Sequence, residues 1–362
     1  MHWRETASRW GSCTVKFGIS EMQKHYLITG GAGFIGSNYI ARLLGRGERV
    51  TIYDNLSRAG GILNLQWLRE THGQAAFSLV VGDVRDTALI TEVARQADVI
   101  IHLAGQVAVT TSVQNPREDF ESNALGTFNV LEAARLSPRN PILLYASTNK
   151  VYGEMENVAI IEEPTRWQYK DLPFGCSETQ PLDFHSPYGC AKGAGDQYVR
   201  DYQRIYGTPT VVLRQSCIFG PRQWGIEDQG WVAWLVIAVI TGKPITIYGD
   251  GKQVRDVLFI TDLLDAYDLA IAKIEQSSGK IYNVGGGAAN TLSIWREFGP
   301  LLERLLKKEI PVTWGSSRPG DQRVYISDIR KIEGELGWRP GVSVEEGLQR
   351  LIGWVQENRS LF

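Results

Sequence analysis

The chain has 362 residues, 43% of them hydrophobic and 22% charged, with a formal net charge of −2. That length buries a sizeable core and admits one large α/β unit with an added lobe. The near-neutral balance argues against a nucleic-acid-binding surface or a solvating acidic tail, and leaves small neutral or anionic partners as the expectation.

Residues 1–21 mix Arg, Trp, Ser and Gly with no apolar period and no continuous apolar core of a secretory signal. They read as a frayed tail, with Met22 as the expected working start. A strand is predicted over His25–Thr29, then the glycine loop Gly30-Gly-Ala-Gly-Phe-Ile-Gly36, and a helix carrying Ile35, Tyr39, Ile40, Leu43 and Leu44 at helical spacing up to Gly47. Arg49–Asp54 is a second strand ending in an acid. Strand, glycine loop, helix, strand and terminal acid together match a dinucleotide-binding βαβ unit. Gly30 permits the tight turn, Gly33 lets backbone approach a pyrophosphate, and Gly36 lets the helix pack on the sheet. Phe34 and Ile35 open that helix, whose first amides face the phosphates. Asp54 would accept from an adenosine ribose and repel a 2′-phosphate, favouring NAD over NADP, although Arg58 nearby pulls the other way.

Further strands are expected at Phe77–Val81, with Asp83 and Val84 at its end, and at Asp98–Gly105, whose small-residue end admits a cofactor. His102 is a core histidine, because no second ligand stands at usable spacing. Asn123 falls in a helix after Pro116 and takes a supporting role. The run from Pro141 gives a strand ending in Ser147, Thr148 and Asn149, and carboxyl ends of parallel strands are where ligands bind. In Leu182–Lys192, Ser186 reads as the N-cap and Pro187 as the first helical residue. Tyr188 and Lys192 then share one helix face. A free tyrosine titrates near ~10. A neighbouring ammonium favours the phenolate, which makes Tyr188 a candidate proton carrier with Thr148 beside it.

These motifs occur in the order of one known group. The chain resembles the extended short-chain dehydrogenase/reductase family, the nucleotide-sugar epimerases and dehydratases, over about residues 23–358. The resemblance rests on Thr29–Gly36, Asp54-Asn-Leu56, Asp83, His102-Leu-Ala104, Ser147-Thr148, Val151-Tyr-Gly153 and the Tyr188 to Lys192 pair. It implies a doubly wound parallel sheet, bound NAD, and hydride removal from a sugar carbon while Tyr188 takes the hydroxyl proton and Lys192 holds the nicotinamide ribose. It also implies cofactor contacts from Asn55, Ser57, Arg58, Asp83, Val84, Leu103, Ala104, Gln106, Asn123 and Ser147. Substrate contacts would come from Gln106, Thr148, Asn149, Gln215, Arg255 and Arg323. The family's 4,6-dehydratases carry Asp and Glu where this chain has Asn149 and Lys150. An amide cannot act as the acid, so elimination is disfavoured and epimerisation remains. Longer strings, including Asp228-Gln-Gly-Trp-Val232 and Asp321-Gln-Arg323, are similar to epimerases that invert C2 of a CDP-linked dideoxyhexose for cell-surface polysaccharide. A homodimer or homotetramer, built through the helices of Asn123 and Tyr188, is also implied.

After Ser216 the sequence enters a second lobe. The expected division is an NAD domain over 22–217 with a returning segment near 256–284, and a substrate lobe over 218–255 and 285–362. The apolar run Trp231–Ile240 is about half the ~20 residues that span a bilayer, so it reads as a buried helix or an oligomer contact. Tyr248 and Trp231 have the chemistry to pack a pyrimidine, with core packing the simpler role. Arg255 and Arg323 offer guanidinium forks for a sugar diphosphate. Helices are expected over 292–306 and 344–355. Four cysteines, Cys13, Cys176, Cys190 and Cys217, show no Cys-x-x-Cys spacing and no metal pattern with the five histidines. No metal is expected, and a reducing cytoplasm fits. The rivals are a 4-epimerase or 4-reductase of another nucleotide sugar, and a catalytically silent NAD-binding regulator.

Overall fold

The computed structural model describes residues 23–317 and 322–362. The expectations for residues 1–21, Met22, Cys13 and Asp321 lie outside them. Seven parallel strands form the main sheet: β1 (His25–Thr29), β2 (Arg49–Asp54), β3 (Ser78–Val81), β4 (Val99–His102), β5 (Ile142–Thr148), β6 (Thr210–Gln215) and β7 (Lys280–Val284). Their order is β3-β2-β1-β4-β5-β6-β7, so the winding reverses between β1 and β4. That is the switch point where a doubly wound sheet opens a ligand crevice.

Side-chain alternation explains why the strands read as unbroken apolar runs. Ile28, Leu144, Val211 and Leu213 face one core, while their neighbours Leu27, Leu143, Tyr145 and Val212 face the other. Both faces are covered by helices, as parallel sheets require. The Ser186–Tyr206 helix lies on the second face and ends at Gly207 in the left-handed region (φ 72°), a favoured C-terminal stop. Ser186 itself has φ 67°, and its hydroxyl accepts from the Gly189 N–H at 3.2 Å. It therefore supplies the expected cap from inside the assigned helix; His185, just before it, makes no cap bond.

A smaller sheet is built on Val254–Phe259, which pairs with Cys217–Phe219, Thr291–Ser293 and Val324–Tyr325. Asp256, fully buried, staples it: its carboxylate accepts from the Gly287 and Ser327 amides at 3.2 and 3.1 Å and from the Ser216 hydroxyl. The Trp231–Thr241 helix is a core helix, and Trp231 packs edge-on against Phe298. One expectation needs correction. Residues 292–306 are not a single helix, because Thr291–Ser293 is a strand and the helix begins at Phe298. Leu292 is buried as a sheet residue, where a strand burying alternate apolar residues and a helix look alike over so short a stretch. The Val344–Glu357 helix forms as expected.

Candidate active site

The carboxyl ends of β1 to β4 surround a cleft of about 620 Å³. The glycine loop forms its floor. Gly30 has φ 69°, and a Cβ there would stand 2.7 Å from the Ala104 nitrogen; one on Gly36 would stand 2.6 Å from the Gly31 Cα. Both positions therefore demand glycine for turn and close approach. The Phe34–Gly45 helix starts after Gly33 with no side-chain cap and no acid in its first turn, so its open amides face the cleft as an anion seat. Asp54 lines the same cleft, its carboxylate accepting from the Ala32 and Leu56 amides at 3.0 and 2.8 Å. Burial raises its proton affinity, against those bonds and the Arg58 charge. Phe34, Ile35, Asn55, Ser57, Val84, Leu103 and Ala104 also line it. A dinucleotide fits this lining: a phosphate seat in the middle and an acidic acceptor toward β2.

Other expected contacts are already engaged. Asp83 is gripped by Arg85, which donates through Nε and Nη2 at 2.9 and 2.8 Å, while Asn55 donates to it at 2.9 Å. The Arg85 bonds hold its carboxyl well below the usual range. The Gln106 side chain closes on its own loop through Ala108. Asn123 sits on a π-turn (Phe120–Leu125) and donates to Asp119 Oδ1 and to the Gln106 carbonyl, both at 3.0 Å. Its own Oδ1 is buried without a partner. The local bonding expected of a helical asparagine is thus present, plus a reach into the cleft loop.

At the end of β5 the strand alternation separates two residues expected to act together. Ser147 donates to Asp196 at 2.7 Å, and Asp196 takes both arms of Arg214 at 2.9 and 2.8 Å. Ser147 is therefore committed to a buried ion pair, while Thr148 donates to Asn149 Oδ1 at 3.3 Å and lies close enough to Tyr188 to lower its proton affinity. Tyr188 and Thr148 are each only 8% exposed. The electrostatics also differ from expectation. Burial pushes the Tyr188 phenol up to about 12; Thr148 pulls it down, Asp119 pushes it up, and the cation that pulls it down is Arg58, not Lys192. Burial brings Lys192 down to about 7, against Asp196 and Asp119. Its Nζ donates to the Ala146 carbonyl at 2.6 Å and lies 4.2 Å from the Tyr145 ring. Desolvation thus favours the neutral amine and works against a full charge beside the phenol. His102 is a core residue, bonded to Thr29 and Thr127 and held near about 3 by burial.

Asn149 is buried beside Thr148 on a short 3₁₀ turn, and Lys150 donates to Gln322 at 3.3 Å. Gln215 sends its amide nitrogen to Tyr267 at 2.7 Å, inside the core. Arg255 is buried and donates to the Val254 carbonyl at 2.7 Å, whereas Arg323 is exposed and lies 4.6 Å over the Trp167 ring. Arg255 lies on the Val254–Phe259 strand and Arg323 immediately before its neighbour Val324–Tyr325, yet neither lines the described cleft. Tyr248 donates to Glu227 at 2.8 Å. Sequence reasoning missed Arg85, and it missed Trp224, Ile226 and Gln229, which line the cleft from a loop about 190 residues beyond the glycine loop. Among the described residues there is no His, Cys, Asp and Glu cluster able to hold a metal.

A doubly wound sheet, a glycine-loop cleft at its switch point and a buried Thr-Tyr pair with a lysine one turn on define a short-chain dehydrogenase/reductase of the extended type. The model of the GDP-mannose 4,6 dehydratase family matches residues 27–351, and the chain belongs to this family of NAD-dependent epimerases and dehydratases. It is 45% identical over 337 residues to a CDP-paratose 2-epimerase of Salmonella typhi, covering 91% of this chain and 98% of that protein. Among solved structures it is similar to a UDP-glucose 4-epimerase with UDP-glucose from Thermotoga maritima (TM-score 0.80, 28% identity, 92% and 99% of the chains). It is also similar to a dTDP-glucose 4,6-dehydratase with NAD and TYD bound from Streptomyces venezuelae (TM-score 0.79, 30% identity, 93% and 98%).

Proposed function

We propose that this enzyme is a nucleotide-sugar epimerase that inverts C2 of CDP-paratose to give CDP-tyvelose, with NAD held in the cleft. The observation that carries the substrate is the 45% identity to the Salmonella typhi CDP-paratose 2-epimerase. The reaction type also has local support, since Asn149 and Lys150 follow Thr148 where an elimination would need an acid and a base.

NAD supplies a hydride acceptor that later returns the hydride, so the reaction has no net redox change. The chain's own residues manage the proton and the position. Thr148 orients the sugar hydroxyl, and Tyr188 accepts its proton. Arg58 and Thr148 favour the phenolate against the burial that opposes it. Lys192, fixed by Ala146, keeps a donor beneath the site. Further cofactor contacts come from Gly30, Gly33, Gly36, Asp54 and the other cleft-lining residues. Arg255 and Arg323 remain proposed ligands of the sugar diphosphate.

The division into an NAD domain (22–217, with 256–284 returning) and a substrate lobe (218–255, 285–362) belongs to the same reading. So does a homodimer through the helices at 116–135 and 186–206, which expose Phe120, Leu125, Phe128, Tyr198, Ile205 and Tyr206. We place the enzyme in the cytoplasm; among the described residues no helix is long and apolar enough to cross a membrane. Feeding CDP-paratose and following the C2 proton by NMR tests the function, with inversion at C2 expected. The likeness to a UDP-glucose 4-epimerase favours a second reading, inversion at C4 of another nucleotide sugar. A product inverted only at C4 would replace the first reading with the second.

A further inference from the structure

The cleft has a roof that the glycine-loop motif does not foresee. Residues Gln223, Trp224, Gly225, Ile226 and Gln229 line it from the opposite side, on a loop that leaves Cys217–Phe219 and runs to the Trp231–Thr241 helix. This strap is fastened to the cofactor side at four places. Asn38, in the glycine-loop helix, donates to the Pro221 carbonyl at 3.0 Å. Trp224 donates from its indole to Asn64 Oδ1 at 3.0 Å, and Asn64, wholly buried, donates in turn to the Ala32 carbonyl of the glycine loop at 3.0 Å. Arg58 donates to Gln229 at 2.9 Å, across the mouth of the cleft. Thr110 reaches Asp228 at 3.4 Å.

The anchor ring is built to fit. Trp224 lies flat over Gly60, where any Cβ would overlap its ring, and it packs against Trp354 and Phe362 with centroids 5.7 and 5.0 Å away. Arg222, at the root of the strap, adopts φ 70° and lays its guanidinium 4.2 Å over Trp67. A non-glycine residue is disfavoured in that region, so the surrounding contacts must hold it there. The contacts are specific, and they join the strap to the same turn that would seat a pyrophosphate.

We propose that the 221–229 strap is a cofactor-binding element that retains NAD between turnovers, with Trp224 as its anchor and the Arg58–Gln229 bond as its clasp. The proposal rests on NAD occupying the cleft. A dinucleotide lying on the glycine loop is covered by the strap, so it leaves only after the anchor or clasp opens. Affinity differences of this kind appear in the release rate.

The test uses the purified holoprotein. NAD release is followed after dilution into a trap, by mass of the protein-bound fraction, for the wild type, Trp224→Ala and Gln229→Ala. Release is expected to accelerate about tenfold or more in Trp224→Ala and severalfold in Gln229→Ala. Gln229→Ala removes a half-buried side chain outside the cores, so it keeps the test valid where Trp224→Ala misfolds. Hydrogen exchange at 221–229 should slow when NAD is bound. A wild type that binds no NAD overturns the function proposed above. A wild type that holds NAD, with variants that hold it equally long and a strap whose exchange ignores NAD, overturns the strap.

Discussion

Tyr188 illustrates how burial and function pull against each other at a single residue. Burial pushes its phenol up to about 12, so neighbouring positive charge and hydrogen bonds must offset that burial for it to act as a base. Tyr188→Phe should lower turnover by about 10²–10⁴-fold. NAD should stay bound, measured as cofactor co-purifying with the variant. Unchanged turnover would remove Tyr188 from the chemistry, and normal partner binding by a dead variant would point to a regulator. Lys192 makes a sign-definite prediction for pH. Its folded value of about 7 lies below its ordinary 10.5, so between them the unfolded chain binds the proton that the folded chain lacks. The lysine's penalty is full below about pH 7 and fades as pH rises toward 10. In urea unfolding of the cofactor-free protein, Lys192→Met should therefore gain most, relative to wild type, near neutral pH and lose that advantage by pH 10. At this scale the sequence showed which residue types meet: Tyr188 with Thr148, and the two glycines that a Cβ would block. It did not show that Ser147 turns to Asp196, because one residue of strand alternation decides that. Nor did it show that the Arg58 charge reaches the phenol, since the two residues come from distant parts of the chain.

Between elements, the catalytic helix is fastened to the sheet by charge as well as by packing. The Asp196–Arg214 pair is essentially solvent-free, with side chains 0% and 2% exposed. Arg214 also donates to Tyr152 at 2.9 Å, and Tyr152 donates to Asn283 on β7 at 2.7 Å. One network thus ties the Ser186–Tyr206 helix, β6, the turn after β5, and β7. Removing one partner of such a pair strands the other, which typically costs about 3–5 kcal/mol. Arg214→Met should lower the urea-unfolding free energy by that amount, and a change near zero would mean that water reaches Asp196. The strands and the glycine-loop helix were legible because apolar runs and turn residues are local signals. Thr291–Ser293 was not, since its partner strand, Val254–Phe259, is about 35 residues away and a three-residue strand carries no period of its own. The Phe120–Leu125 π-turn had no signal either; within it Asn123 reaches both Asp119 and Gln106.

Across the described residues, exposed apolar side chains are scattered, but one group, Phe120, Leu125, Phe128, Tyr198, Ile205 and Tyr206, lies on the helices at 116–135 and 186–206. Phe128 and Tyr198 touch edge-on at 5.9 Å, and both remain more than a third exposed, so a partner surface is the economical explanation. Phe128→Asp should convert the proposed dimer to monomer in sedimentation velocity. A wild type that is monomeric at micromolar concentration would end that proposal. The global architecture was readable from the order of motifs, whereas the cleft's roof was not, because Trp224 carries no mark of the Asn64 it meets. One topological detail governs how the two sheets are joined. The backbone passes from large sheet to small at 216–217, comes back through the Ile260–Ala272 helix to β7, and departs again past Gly285. The excursion between β5 and the Ser186–Tyr206 helix adds a further tie, since Cys176 bridges to Ser327 and Tyr169 packs with Val254 and Val324. Because the chain crosses between the sheets repeatedly, a single proteolytic nick in any one crossing would leave the two halves joined through the others.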